Sequence, residues 1–157
     1  MNGDKGFSYP AALLMVVVIS ISLMTAQKQW STIMKREREN QLLFRAGQIE
    51  KALGSYYNNS SSGGSTEYPK KLEYLLKDNR YSGVKRHLRK LYKDPMTMEG
   101  PWGLIYDGKG GIKGVFSRSP EKPIKTSGFP DKYKLFENKQ KYSDWKFIYE
   151  KKLETKS

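Results

Sequence analysis

The feature that most constrains this chain is a run of twenty-two uncharged residues between Lys5 and Lys28. As a helix the run would rise about 33 Å, and the hydrocarbon core of a bilayer is about 30 Å thick. Beyond the first turn of that helix, no Gly or Pro occurs before Gly47. The run therefore predicts a transmembrane helix over residues 7–27 that continues without a break as a water-exposed helix over residues 28–57.

Two other interpretations of the run are weaker. A cleaved secretory signal needs small residues at the last and third-last positions before the cut. Ala26 fails this test because Met24 precedes it, and Ser22 with Ser20 would place the cut inside the apolar run. A helix that is apolar on every side also cannot be enclosed by the core of so small a protein. We therefore expect the helix to be retained in a membrane.

Composition sets the size and chemistry of the remainder. The chain has 157 residues, with 29 Lys and Arg against 16 Asp and Glu, and a formal net charge of +13. After the long helix, the remaining length suits one small domain. The absence of cysteine excludes a disulfide framework, a lipoprotein site and a thiolate zinc site.

Beyond the long helix, the pattern predicts a Ser/Gly linker at 58–67 and a globular α+β domain at 68–157. Short helices are expected from Tyr68-Pro69 and from Ser82 through Tyr92. Alternating residues predict a three-stranded antiparallel sheet, with strands at Trp102 to Asp107, Ile112 to Ser117 and Trp145 to Tyr149. The turn DGKGG would join the first two strands. An apolar stripe on the long helix should cover this domain: Leu42, Ala46, Ile49, Leu53 and Tyr56.

Few residues suggest catalysis or metal binding. The charged cluster at 35–39 has the mixed signs of a solvated helix face. His87 is the only histidine and lies in the basic stretch KRHLRK, so we expect a surface position for it. Ser119 and Ser143 have no base beside them in the sequence. We expect no enzymatic activity, no cofactor and no metal site.

The leader adds a more specific motif. Six residues end in Gly6, Phe7 follows, and the apolar run starts at once. This arrangement resembles the class III signal of the type IV pilin and type II secretion pseudopilin superfamily. The stretches YPKKLEYLL, LRKLYKDPMT, WGLIYDGKGGIKGVFSRS and YSDWKFIYE are similar to the branch related to the major pseudopilin. The resemblance implies a pilin-like fold, in which a long helix with a transmembrane first half packs on a small domain.

The resemblance also implies a life cycle. Prepilin peptidase would remove leader residues 1–6 by cutting between Gly6 and Phe7, and would methylate the new amino terminus of Phe7. The product would be a single-pass protein of the bacterial inner membrane, with its N-terminus in the cytoplasm and its C-terminal domain in the periplasm. The positive-inside rule, applied to Lys28, Lys35, Arg36 and Arg38, would favour the opposite orientation; we follow the leader. The implied partners are membrane lipid, other pilin or pseudopilin subunits and the inner-membrane assembly platform.

Two departures from the family pattern refine this expectation. The fifth residue after the cut is usually Glu, whereas this chain has Ala11, which inserts into lipid more easily but lacks a charge to fix subunit register. This favours a minor over a major subunit. The resemblance assigns helix packing in the membrane or filament to Ala11, Leu14, Val18 and Ile21. The region that binds calcium in major pseudopilins has only Glu121 and Asp131 here, so we expect no calcium site.

Two alternative functions remain open. The stretch from Lys70 to Lys93 is rich in Lys and Arg with interleaved tyrosines, a pattern that could hold phosphates and stack bases. The chain could then be a DNA-binding pilin of an uptake system, with nucleic acid or an acidic partner contacting Lys85, Arg86, Arg89 and Lys90. Alternatively, it could be a single-span membrane anchor whose domain docks an unrelated partner.

Overall fold

A computed structural model describes residues 8–59 and 66–151, without the side chains of residues 8 and 22–28. The predicted leader, its cleavage bond at Gly6-Phe7 and most of the predicted linker lie outside these residues. The chain divides into two compact units, one ending at Glu37 and the other starting at Arg38. Each unit is described by itself below.

The predicted long helix is present. Helix α1 spans Ser8–Asn58, against the prediction of 7–57. In the second unit, the predicted apolar stripe is buried at every position: Leu42, Ala46, Ile49, Leu53 and Tyr56. These residues recur at spacings of four and three, which places them on one face of the helix. They share one hydrophobic core with the sheet residues Ile112, Val115 and Phe147.

The predicted three-stranded antiparallel sheet is also confirmed, so the fold class is α+β. Strand β1 spans Gly103–Tyr106, β2 spans Ile112–Phe116 and β3 spans Lys146–Ile148, in the order β1-β2-β3. In register, Val115 of β2 lies opposite both Leu104 of β1 and Phe147 of β3. Side chains alternate between the two faces of a strand, so Val115 and Phe147 point into the core while their neighbours face outwards.

The turn between β1 and β2 forms at the predicted DGKGG stretch. The carboxylate of Asp107 accepts hydrogen bonds from the backbone N–H groups of Lys109 (2.9 Å) and Gly111 (2.7 Å). Gly110 has φ of +76°, a conformation that side chains with a Cβ rarely adopt. Asp107 and Gly110 therefore have the roles that are typical of such turns: Asp accepts backbone hydrogen bonds and Gly adopts a positive φ.

The predicted helix from Ser82 through Tyr92 is wrong. That segment has no helix, because its backbone bonds to a neighbouring segment instead. The N–H groups of His87 and Leu88 both donate to the Leu75 carbonyl at 2.9 Å, where a helix would use carbonyls of its own preceding turn. The sequence also disfavours the helix, since Lys85 with Arg89, and Arg86 with Lys90, would place like charges four residues apart.

The other predicted short helix is a single 3₁₀ turn. It spans Leu72–Leu75, and both of its end residues are buried in the core. Further 3₁₀ turns occupy Pro95–Thr97, Asp131–Phe136 and Tyr142–Asp144. The small domain is thus built from turns and a sheet packed on α1, with no second α-helix among its described residues.

The Tyr149 side chain packs directly against α1 at Gly54. A Cβ at this position would lie 2.6 Å from two ring carbons of Tyr149. That ring is held in place by a 2.7 Å hydrogen bond from the Asn58 side chain to its hydroxyl. Glycine is needed here because it has no side chain to collide with the Tyr149 ring, and not because of its backbone flexibility.

We expect Gly54→Ala to lower the free energy of unfolding by about 1–2 kcal/mol, because forcing Tyr149 aside outweighs the gain in helix propensity. Urea unfolding of the full chain in neutral detergent, followed by circular dichroism, measures the change. Gly47→Ala is the matched control, since its Cβ would meet only the Tyr133 hydroxyl oxygen, at 3.3 Å. Equal behaviour of the two variants would contradict the packing argument.

Candidate functional site

The first unit presents an exposed apolar surface on its described residues. Of the predicted packing residues, Ala11, Leu14, Val18 and Ile21 are all exposed. Their neighbours are exposed as well, so every side of α1 from residue 9 to residue 21 is open. Contiguous apolar surface of this kind marks a site of contact with lipid or with another protein.

The apolar surface continues as a narrower stripe further along the same unit. Trp30, Ile33 and Met34 are exposed, and they share one face of α1 because Ile33 and Met34 follow Trp30 by three and four residues. Gln29, Thr32, Ile33 and Arg36 line a shallow depression at this level. A stripe at this spacing is suited to lengthwise contact with another helix.

Among the described residues, no helix is long and apolar enough to cross a bilayer.

In the second unit, a chain of polar side chains joins α1 to the segment that follows it. The Ser55 hydroxyl lies 2.8 Å from His87 Nδ1, and His87 Nε2 lies 3.0 Å from Asp78 Oδ2. The His87 side chain is only 1% exposed. The surface position expected for His87 is therefore wrong: tertiary packing turns this residue inwards while its basic neighbours stay outside.

Arg80 completes this network. Its Nη2 lies 2.7 Å from Asp78 Oδ2, and its Nε donates to Asp78 Oδ1 at 3.0 Å. It also donates to the Tyr56 carbonyl at 2.7 Å, and its guanidinium carbon lies 3.7 Å from the centre of the Tyr56 ring. The fully buried carboxylate of Asp78 is thus satisfied from two sides, and the network fastens the end of α1.

The network has the residue order of a hydrolytic triad but not its setting. A triad serine needs an open face and nearby N–H donors for the oxyanion. Ser55 lies inside α1, where the surrounding backbone N–H groups bond within the helix. Asp78 also shares its charge with Arg80 as well as with His87. The arrangement therefore serves to hold structure together.

Two further acids, Glu39 and Glu50, are buried, and the first of them contradicts a prediction. Glu39, which belongs to the cluster predicted to be solvated, is only 3% exposed. Its carboxylate accepts a hydrogen bond from the Lys125 backbone N–H at 3.0 Å. Glu50 binds Lys132 Nζ at 2.9 Å and the Tyr133 hydroxyl at 2.8 Å. Both acids anchor the long loop between β2 and β3 to α1, and their partners are too distant along the chain for a local sequence pattern to indicate them.

The residues predicted to contact nucleic acid or an acidic partner separate into two groups. Lys85 Nζ lies 4.3 Å from the centre of the Tyr81 ring, and Lys90 Nζ lies 5.3 Å from that of Tyr92. Arg86 and Arg89 instead line a surface depression of about 460 Å³. The structure thus brings together only part of the predicted set.

The depression, called the basic pocket below, is lined by Leu76, Lys77, Val84, Arg86 and Arg89. Lys77 is not among the predicted contact residues, and it precedes Arg86 by nine positions in the sequence. The two segments meet because Asp78 N–H donates to the Lys85 carbonyl at 2.9 Å. No periodic signal in the sequence could have revealed this contact.

Among the described residues, no group of three or more His, Asp and Glu side chains is arranged to hold a metal ion. No protein-family model, curated protein or solved structure matches this chain. The family resemblance therefore rests on the sequence motifs alone.

Proposed function

We propose that this chain is a pseudopilin-like structural subunit, without enzymatic activity, of a type II secretion or type IV pilus-type filament. It would be made with leader 1–6, cut by prepilin peptidase at Gly6-Phe7 and methylated at Phe7. Residues 7–27 would hold it in the inner membrane until assembly. This span is taken from the uncharged run in the sequence.

The apolar surface of α1 is the observation that carries the proposal. From residue 9 to residue 21, the described side chains are exposed on every side of the helix, and most are large and apolar. Burying apolar area is worth about 25 cal/mol per Å², so such a helix is stable only where other apolar groups surround it. Lipid before assembly, and neighbouring helices afterwards, would provide those groups.

The exposed stripe at Trp30, Ile33 and Met34 gives independent support. Its spacing suits a second helix lying alongside, which is how subunits of the resembled family pack in a filament. Ala11, in place of the usual Glu, supplies no buried charge to set the register between neighbours. A minor subunit that lies next to a subunit with the charged residue would not need this Glu itself.

Processing provides the direct test. When the full chain is produced together with an active prepilin peptidase, we expect mass spectrometry of the membrane-extracted protein to show loss of the first six residues and one added methyl group. Gly6→Val should keep the leader, because a branched side chain obstructs the scissile bond. Gly3→Val, which changes the other leader glycine, is the matched control and should be processed normally.

The outcomes separate the candidate functions. An intact Met1 start beside an active peptidase would reject the pilin proposal. If that intact protein also stayed in the membrane fraction, the single-span anchor would replace it. Cleavage that continued in Gly6→Val would show that the cut lies elsewhere.

A further inference from the structure

The basic pocket contains three cations that have no acidic partner. Lys77, Arg86 and Arg89 make no ion pair with any described residue. From residue 77 to residue 93 the sequence has seven Lys and Arg but one acid, Asp78. Asp78 is fully buried and already paired with Arg80 and His87. The positive charge of the pocket is therefore not neutralised from within the described part of the protein.

The pocket is also held open by the backbone. One side is the stretch at Leu76 and Lys77, and the other is the segment containing Val84, Arg86 and Arg89. Three backbone hydrogen bonds of 2.9 Å join the two sides, from Asp78 to Lys85 and from His87 and Leu88 to Leu75. His87 and Leu88 point inwards, so the two arginines beside them are directed outwards. The backbone segments that carry the three cations are thus held together before any partner arrives.

The lining distinguishes between anionic partners. Val84 is 71% exposed and Leu76 lies beside it, so the pocket offers apolar contact between its charges. No aromatic side chain lines it. The nearby Tyr81 and Tyr92 rings, which lie outside the lining of the pocket, each have a lysine ammonium group, of Lys85 and Lys90, over one face. Single-stranded nucleic acid is therefore disfavoured as the occupant, because its bases stack on exposed aromatic rings. A bilayer is disfavoured as well, because its flat surface does not enter a depression.

An acidic protein segment satisfies all of these features. Its carboxylates pair with arginine through two parallel hydrogen bonds, and the aliphatic parts of Glu or of a flanking residue can contact Val84. A second copy of this chain does not provide such a segment. No two acidic residues are adjacent in its sequence, and its net charge of +13 makes copies repel.

We propose that the basic pocket binds an acidic segment of a different protein. If the chain is a filament subunit as proposed above, that protein is a neighbouring subunit of another kind. This identification of the partner rests on the proposed function. The pocket then adds a selective polar contact to the apolar contacts along α1, so it favours mixed over uniform assembly.

The test measures binding of a fluorescein-labelled oligo-glutamate peptide to the full chain in neutral detergent by fluorescence anisotropy, over a series of salt concentrations. We expect binding that weakens as salt rises. The triple variant Lys77→Gln, Arg86→Gln and Arg89→Gln should weaken binding about tenfold, because three exposed charge contacts are lost. The control triple Lys109→Gln, Lys139→Gln and Lys141→Gln makes the same change in net charge at exposed positions elsewhere.

A twofold or smaller effect of the control triple would support the pocket as the site. Equal losses in both triples would show that only net charge matters and would overturn the proposal. A labelled oligothymidylate of equal charge is the third arm. Tighter binding of that DNA, abolished by the pocket triple, would replace the acidic segment with nucleic acid. Leader cleavage, measured in the same proteins, reports separately on the proposed function.

Discussion

Asp78→Asn is expected to lower the free energy of unfolding by about 3 kcal/mol, which is a large fraction of the total stability of a small domain. The carboxylate is fully buried, and it neutralises Arg80 while orienting His87. Asparagine preserves the shape but leaves the Arg80 charge unpaired beside the core. Urea unfolding of the full chain in neutral detergent, followed by circular dichroism, measures this loss.

Two controls define the origin of that effect. Asp144→Asn removes the same charge at an exposed position and should change stability by at most about 0.5 kcal/mol. The double variant with Arg80→Gln should lose less than the sum of the two single variants, because the charge that Asp78→Asn leaves behind is then absent. If the Asp78→Asn variant were as stable as the wild-type protein, a structural role for the network would be refuted.

The same carboxylate gives a defined pH dependence. Burial raises the pKa of Asp78, but hydrogen bonds from Arg80 and His87 outweigh it and lower that pKa from 3.8 to about 2. Because the pKa is lower in the folded state, this stabilisation is complete above the ordinary value and is lost as pH falls towards 2. The stability difference between wild-type and Asp78→Asn should therefore shrink between about pH 4 and pH 2.

Trp145→Ala is expected to lower the free energy of unfolding by about 3–5 kcal/mol, the usual effect of removing a large buried aromatic side chain. Trp145 is fully buried in an aromatic cluster. Its ring stacks on Phe136 at 5.5 Å between centres and meets the edges or faces of Phe129 and Tyr142 at 5.2 Å. The cavity left behind would weaken the packing of the loop between β2 and β3 against the core. Unfolding is again followed by circular dichroism.

Trp145→Phe is the matched comparison. It keeps one aromatic ring, and it removes an indole N–H that is buried without a hydrogen-bond partner in the described part of the protein. Since an unsatisfied buried donor costs about 1–3 kcal/mol, its removal should offset part of the lost packing. A phenylalanine variant as unstable as the alanine variant would show that the indole ring itself, and not aromatic filling, is required.

The predictable parts of this protein are those with a local signal. The long helix follows from residues that nowhere interrupt it, and the buried stripe from Leu42 to Tyr56 follows from spacings of three and four. Alternation predicted the strands, and Asp107 with Gly110 predicted the turn between β1 and β2. In each case the hydrogen-bond partners lie within a few residues, or the pattern itself says which face is buried.

What only the tertiary structure decided depends on contacts between distant segments. The Leu75 carbonyl captures the N–H groups of His87 and Leu88, which prevents the predicted helix and brings Lys77 to Arg86. The same contact turns His87 inwards to Asp78. Glu39 is likewise buried because it meets the Lys125 backbone, far along the chain. A backbone carbonyl is identical in every residue, so the sequence has no local mark for which distant donor will reach it.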